Sequence, residues 1–339
     1  MRYRHVGSID FSFSEVGFGC GGNAGLMVKG SFEEQRHAVA RAWELGVNYF
    51  DIAPDYGAGA AERNLGRVLK ELKFRPFVTS KVEIRAEDLG DIAGRIVRST
   101  EDSLQRLGID ALDAIEIHNG PVAVRPLMEG RSYATLWLED FMRPGGALDG
   151  IRRIVKSGKA RHAGFVCRGN DGEEVRQLLA TELFQLINLP YTLLNPTAGR
   201  PKPHGLELDR DFGDVIAAAQ AVDVGVAVYS PLAGGALSDA GLAGQQTHPL
   251  ARPKETGSPA WEALIRKAGT FQFLAQRTEM SLAQAAYRFV LTHPGVTTVL
   301  GGFSSIDQID EIAAASASGG LDSDVMTEIE RVWQSNFAN

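Results

Sequence analysis

The stretch NYFDIAPDYGAG (residues 48–59) runs from apolar residues into a carboxylate, then a phenol, then a loop of glycine and alanine. Its first part reads as a strand covered on both faces, and that strand ends in Asp51. A buried charge is costly unless it is paired, so Asp51 requires a cation from a neighbouring element. Two further apolar runs end in the same way: VTSKV carries Lys81 and IEIHN carries His118. Polar residues ending consecutive strands point to parallel strands that open on one mouth.

Outward from this stretch, runs rich in β-branched residues alternate with helical patterns along the chain. Strands are predicted at 14–20, 47–53, 76–82, 112–119, 160–167, 183–191, 224–231 and 296–302. Helical patterns fall near 33–45, 61–72, 91–107, 147–157, 172–181, 211–222, 259–292 (a helix pair) and 305–316. Capping boxes are expected at Ser31/Glu34, Ser281/Gln284 and Ser305/Gln308. Eight strands, each followed by a helix, predict an α/β fold of the (β/α)8 TIM-barrel type, with 1–339 as one domain. A doubly wound sheet is the alternative, but it usually has fewer strands. The helical stretch 323–337 is surplus to the eight units. Long loops at 120–146, 192–210 and 233–258 all follow strands, which puts them on the C-terminal face, where barrel active sites lie.

The sequence GFGCGG fits G-x-G-x-x-G through Gly17, Gly19 and Gly22. A Rossmann loop would open a helix at once, whereas the next helix here starts near Ser31. The glycines are read instead as letting backbone approach backbone or a ligand. A net charge of −7 over 339 residues argues against nucleic acid or an anionic membrane as partner. No apolar run approaches ~18 residues, and MRYRHVGSIDFSF has no signal-peptide core. The two cysteines, Cys20 and Cys167, supply neither a disulfide framework nor a four-ligand zinc site. The other histidines lack ligand spacing. A cytoplasmic location and no metal are expected.

Adjacent strands lie roughly 4.8 Å apart, so Asp51, Lys81 and His118 converge at the mouth and Tyr56 reaches in from the loop. Lys81 is the cation that Asp51 requires. A lysine near a phenol stabilises phenolate and draws its pKa down, which makes a proton donor. Taken singly, Asp51 reads as a helix cap, Lys81 as a solvated side chain, His118 as a core histidine and Tyr56 as a loop aromatic. Their positions at successive strand ends are what those readings leave unexplained. In the loop 120–146, Tyr133 and Trp137, with Arg125, Arg131 and Arg143, read as a substrate lid; packing or an oligomer contact is the competing reading.

These stretches resemble the aldo-keto reductases. FDIAPDYGAGAAERNLGRVL (50–69) is similar to that family's first signature, with Asp51, Tyr56, Gly57, Glu62, Leu65 and Gly66 in register. VTSKV, LDAIEIHN, GKARHAGF (158–165), VYSPLAGGAL (228–237) and SLAQAAYRFVL (281–291) match later landmarks in order. The resemblance implies an oxidoreductase that moves a hydride between a nicotinamide dinucleotide and an aldehyde, ketone or sugar. It implies Tyr56 as general acid or base, Lys81 as its tuner, Asp51 as holder of Lys81, and His118 as the group positioning the carbonyl. It implies Tyr191 stacked on the nicotinamide and Ser230, Leu232 and Gly234 along the pyrophosphate. Gly302, Phe303, Ser304, Ser305, Gln308 and Glu311 would flank the adenosine.

Two departures matter. Where the family commonly has Ser-Asn and then Gln for the carboxamide, this chain has Val166, Cys167 and Asn188; the grip is altered or moved to Asn188, Arg168 or Asn170. Near the adenosine, Ser304, Ser305, Gln308 and Ile312 supply no cation for a 2′-phosphate. NADP is expected on family grounds, with NAD as the alternative. Two other function classes are weighed: a cofactor-sensing regulatory subunit on the same scaffold, and a Schiff-base lyase with Lys81 as nucleophile. The sequence leaves the oligomeric state undetermined.

Overall fold

The computed structural model describes residues 1–127, 134–245, 248–252 and 257–338. In chain order its strands are β1 (Tyr3–Val6), β2 (Ile9–Ser14), β3 (Val16–Gly19), β4 (Tyr49–Asp51), β5 (Phe77–Val82) and β6 (Leu112–Ile117). Next come β7 (Gly120–Val122), β8 (Thr135–Trp137), β9 (Ala160–Val166), β10 (Leu186–Pro190), β11 (Gly225–Tyr229) and β12 (Thr298–Gly302). Strands β3, β4, β5, β6, β9, β10, β11 and β12 close a parallel barrel, β12 pairing back onto β3. Each of the eight expected strands is one of these. The helices also follow expectation, except that 259–292 forms three: Pro259–Gly269, Phe273–Thr278 and Leu282–Thr292. The surplus stretch forms the helix Ser323–Gln334. Among the described residues, no helix is long and apolar enough to cross a membrane.

Side chains alternate faces along a strand, and this rule builds the barrel's interior in layers. Tyr49, Phe77, Ala114, Leu186, Ala227 and Leu300 pack together inside, against Val6, Ile9 and Phe13 of the β1–β2 hairpin. The antiparallel hairpin therefore plugs the N-terminal end of the barrel. Two residues further along each strand, the same inward face carries Asp51, Thr79, Glu116, Asn188, Tyr229 and Gly302. A further step of two adds Lys81 and His118. The interior thus changes from apolar at the plugged end to polar at the open end.

The outer faces of the strands pack on the helices. The helix Ala60–Leu72 is fastened beneath the lysine strand through fully buried Glu62, which accepts from Ser80 Oγ at 2.7 Å and Arg106 Nε at 2.5 Å. Capping boxes form at Ser31/Glu34 and Ser281/Gln284. The expected box at Ser305 does not form, because Gln308 Oε1 instead accepts from the Ser304 backbone N–H at 2.7 Å.

Candidate active site

Lys81 Nζ donates to Asp51 Oδ1 at 2.6 Å and to the Ile52 carbonyl at 3.0 Å. The other oxygen of Asp51 accepts from Asn188 Nδ2 at 2.8 Å. All three side chains are buried. Burial works against the charge on Lys81, but Asp51, then Tyr56 and Glu116, outweigh it and hold the amine above the usual lysine range. The cation required by Asp51 is present, and it stays charged. A charged amine is a poor nucleophile, which counts against Schiff-base chemistry.

Tyr56 enters from the loop after β4, its ring centroid 5.7 Å from Lys81 Nζ. Its ring stands edge-on to His118, with centroids 6.2 Å apart. Burial drives the phenol well above its ordinary range, and Asp51, Asp55 and Cys20 push the same way; Lys81 pulls it down. The lysine acts with the expected sign, but desolvation outweighs it. The phenol therefore keeps its proton across the neutral range. His118 follows β6, its backbone N–H on the Val82 carbonyl at 2.8 Å and Nδ1 3.6 Å from Asp55 Oδ1. Burial first, then Lys81 and Arg168, push its pKa well down, so the imidazole is neutral. Together these elements assemble a neutral acid, a fixed cation and a neutral imidazole.

Several residues assigned to the cofactor have surroundings that bear on the assignment. Tyr191, expected on the nicotinamide, is not on the inward face of the barrel. It lies one residue past β10, out of step with inward-facing Asn188, and packs on the helix side against Phe289 and His293 at 5.0 and 5.9 Å. The aromatic ring on the inward face is that of Tyr229, whose hydroxyl donates to the Cys167 carbonyl at 3.4 Å. Just beyond it, Ser230 and Ala233 have φ of 54° and 47°. Non-glycine residues rarely occupy this region, and such strain concentrates at ligand sites. Leu232 and Gly234 belong to the same turn.

Phe303 is buried against Phe18. Ser304 Oγ donates to the Ala24 carbonyl at 2.7 Å. Glu311 accepts from Ser281 Oγ at 2.5 Å. Ser305 precedes the helix Ile306–Ser318 without a side-chain cap, and Gly302 beside it is exposed. Uncapped N–H groups at a helix start favour phosphate. A nicotinamide carboxamide needs an acceptor and a donor. Asn188 Oδ1 and both polar side-chain atoms of Asn170 are buried without a hydrogen-bond partner among the described residues, while Val166 and Cys167 offer no such group. These residues fit a dinucleotide.

In the loop 120–146, β7 and β8 pair as a small parallel sheet. Trp137 Nε1 donates to the Ala123 carbonyl at 3.0 Å, and the Arg125 guanidinium lies 4.7 Å from its ring. Arg125 and Arg143 both pair with buried Asp140, at 2.7 and 3.1 Å. Tyr133 and Arg131 lie outside the described residues. Cys20 and Cys167 are buried free thiols whose pKa values burial pushes up, so neither is an active nucleophile.

Sequence reading passed over Glu116 and Tyr229, and named Asn170 only as one alternative for the carboxamide. Parity would have found the first two: Glu116 precedes His118 by two residues, and Tyr229 follows Ala227 by two. Asn170, in an irregular loop, carries no such signal.

The model of the aldo/keto reductase family matches residues 15–334. This chain belongs to the aldo/keto reductase family. Among its relatives is L-galactose dehydrogenase of Arabidopsis thaliana, 24% identical over 98% of this chain and 94% of that protein. L-glyceraldehyde 3-phosphate reductase of Escherichia coli strain K12 is 26% identical over 92% of this chain and 86% of its own length. A Schizosaccharomyces pombe protein described as a putative voltage-gated potassium channel subunit beta is 25% identical over 95% and 89%. The holo form of an aldo-keto reductase from Bacillus halodurans superposes with a TM-score of 0.71 at 21% identity, each chain covered in full. Family and fold together support an oxidoreductase.

Proposed function

We propose that the chain is an NAD(P)-dependent carbonyl reductase or alcohol/sugar dehydrogenase with Tyr56 as its general acid and base. The observation that carries this reading is the buried Lys81–Asp51 pair at 2.6 Å, facing a protonated phenol and a neutral imidazole at one barrel mouth. A bound nicotinamide dinucleotide supplies the hydride in reduction and accepts it in oxidation. As negative charge grows on the carbonyl oxygen, the Tyr56 hydroxyl gives it a proton. Lys81 stabilises the phenolate left behind, and Asp51 with Asn188 keeps Lys81 in position. His118, neutral, donates a hydrogen bond to the same oxygen, which favours the transition state over the ground state.

Asn188 Oδ1 and Asn170 hold the carboxamide in this reading, and Tyr229 stacks on the nicotinamide in place of Tyr191. The strained turn of Ser230, Leu232 and Gly234 takes the pyrophosphate. Gly302, Ser305 and the helix start at Ile306 take the adenosine side, with NADP preferred and NAD as the alternative. Trp137, with Tyr133, belongs to the substrate loop. Two relatives named for galactose and for glyceraldehyde 3-phosphate make small hydroxylated aldehydes the first substrates to try. Oxidation of NADPH or NADH by a panel of such aldehydes, with Tyr56→Phe as control, tests the reading. A cofactor-sensing subunit is the second reading, favoured by the relative described as a channel subunit. It predicts dinucleotide binding without turnover of any aldehyde.

A further inference from the structure

Glu116 lies on the inward face of β6, two residues before His118, and is fully buried. Its Oε2 is 3.9 Å from Lys81 Nζ, beyond hydrogen-bond reach, and neither carboxyl oxygen has a hydrogen-bond partner among the described residues. An ionised carboxylate without a donor is among the costliest groups to bury. On the neighbouring strand the facing residue is Gly164, paired with Glu116 in register. A Cβ there would come within 2.6 Å of the Leu186 carbonyl oxygen, 2.9 Å of Glu116 Cγ and 3.1 Å of its Oε1, so glycine leaves room both for the β10 backbone and for the carboxyl group. The pocket accommodates the carboxyl group, yet among the described residues it offers an anion no hydrogen bond.

We propose that Glu116 is a third member of the Asp51–Lys81 charge set, carries a proton in the working enzyme, and by that proton sets how much of the Lys81 field reaches Tyr56. This deepens the reading of Tyr56 as the acid and base, and rests on it. With Glu116 neutral, Asp51 and Lys81 sum to zero charge, and the lysine still favours the phenolate. Once Glu116 ionises, the set is net negative and the phenolate is disfavoured. Oxidation, which needs the phenolate as base, is then held back, whereas reduction needs the neutral phenol.

The titratable groups facing Glu116 are Tyr49 and Asp51 from β4, Lys81 from β5 and Cys167 just beyond β9; β10 contributes only the neutral amide of Asn188. Burial, opposed by Lys81 and reinforced by Asp51, pushes the Glu116 carboxyl up to about 8. Glu116 is thus a positioning residue acting through Lys81, protonated at neutral pH and ionised above about pH 8.

Glu116→Gln keeps the shape and fixes the neutral state, which gives two measurements. The first is urea unfolding of both proteins from pH 5 to 9. Above pH 4.5 the unfolded chain loses the Glu116 proton while the native state retains it, so this group's contribution to wild-type stability falls until pH 8 and then levels off. The midpoint of the variant relative to wild type should climb across that window and stay flat above it. A constant difference overturns the proposal. The second is the pH profile of oxidation of simple alcohols and sugars with NADP or NAD. The rising limb should move down by roughly one unit in the variant. Superposable profiles would also overturn the proposal, leaving Glu116 a structural filler. A wild type that turns over no substrate would sink the proposed function instead, and unfolding would still decide the protonation of Glu116.

Discussion

Lys81→Met removes the cation from the centre of the site and nearly preserves its volume. Two consequences follow, and they are separable. Asp51 is left buried with Asn188 Nδ2 as its remaining side-chain donor, at 2.8 Å. Breaking a buried pair in this way costs about 3–5 kcal/mol of stability. The phenol of Tyr56 also loses a unit charge 5.7 Å from its ring. At an effective dielectric of about 20, that charge is worth about 3 kcal/mol, or about two pH units on the tyrosine. The direction is fixed: without the cation the phenolate is harder to form. The rising limb of alcohol oxidation should move up by about two units, leaving roughly 100-fold less activity at a given pH below it. Reduction should slow because the phenolate product is less stabilised, yet keep its profile near neutral pH. The double variant Asp51→Asn/Lys81→Met removes the stranded carboxylate and should regain stability without regaining the oxidation profile. Nicotinamide absorbance followed in both directions from pH 6 to 10, beside urea unfolding, reads all of these. An unchanged oxidation profile in folded Lys81→Met would refute the electrostatic argument and reduce Lys81 to a structural partner of Asp51.

Two further outcomes are expected. Asn170→Ala deletes a buried amide with neither polar atom bonded, so stability of the free protein should hold while dinucleotide affinity falls about 10-fold, the worth of one hydrogen bond; fluorescence titration checks this, and equal affinity would return the carboxamide to Asn188 alone. Discrimination between NADP and NAD, compared as kcat/KM, should stay within about 100-fold, since 301–311 carries no Lys or Arg and Ser304 is already bonded to Ala24 and Gln308. A stricter NADP preference would point to Arg252, whose backbone N–H bonds the Asn23 carbonyl at 2.8 Å.

The barrel was legible because its strands are continuous apolar runs and its helices begin and end on caps and glycines. Asp51, Lys81 and His118 stood out as charges where apolar residues were due. The hairpin β1–β2 escaped notice, since its alternating pattern is short and its function, plugging the barrel, depends on partners distant in sequence. Tyr191 and Tyr229 show how a single position decides which face a ring takes: one residue of offset sends a side chain to the opposite face of a sheet. Glu116 was hidden by the histidine two residues on, although His118 only continues the inward face of β6 that Glu116 shares. Asn188 has only its Oδ1 left for a carboxamide, and packing alone reveals that its Nδ2 already serves Asp51. Competition for a hydrogen bond is a three-dimensional fact.

Transfer of deuterium from C4-deuterated NADPH or NADH to an aldehyde, compared between wild type and Tyr56→Phe, tests the central claim most directly. Wild type should deliver the label to the carbonyl carbon. The phenylalanine variant should bind dinucleotide within a few-fold of wild type and transfer deuterium about 100- to 10,000-fold more slowly, the range expected for loss of a general acid. Transfer at a near-native rate without the phenol, or none from wild type to any aldehyde, would contradict the account.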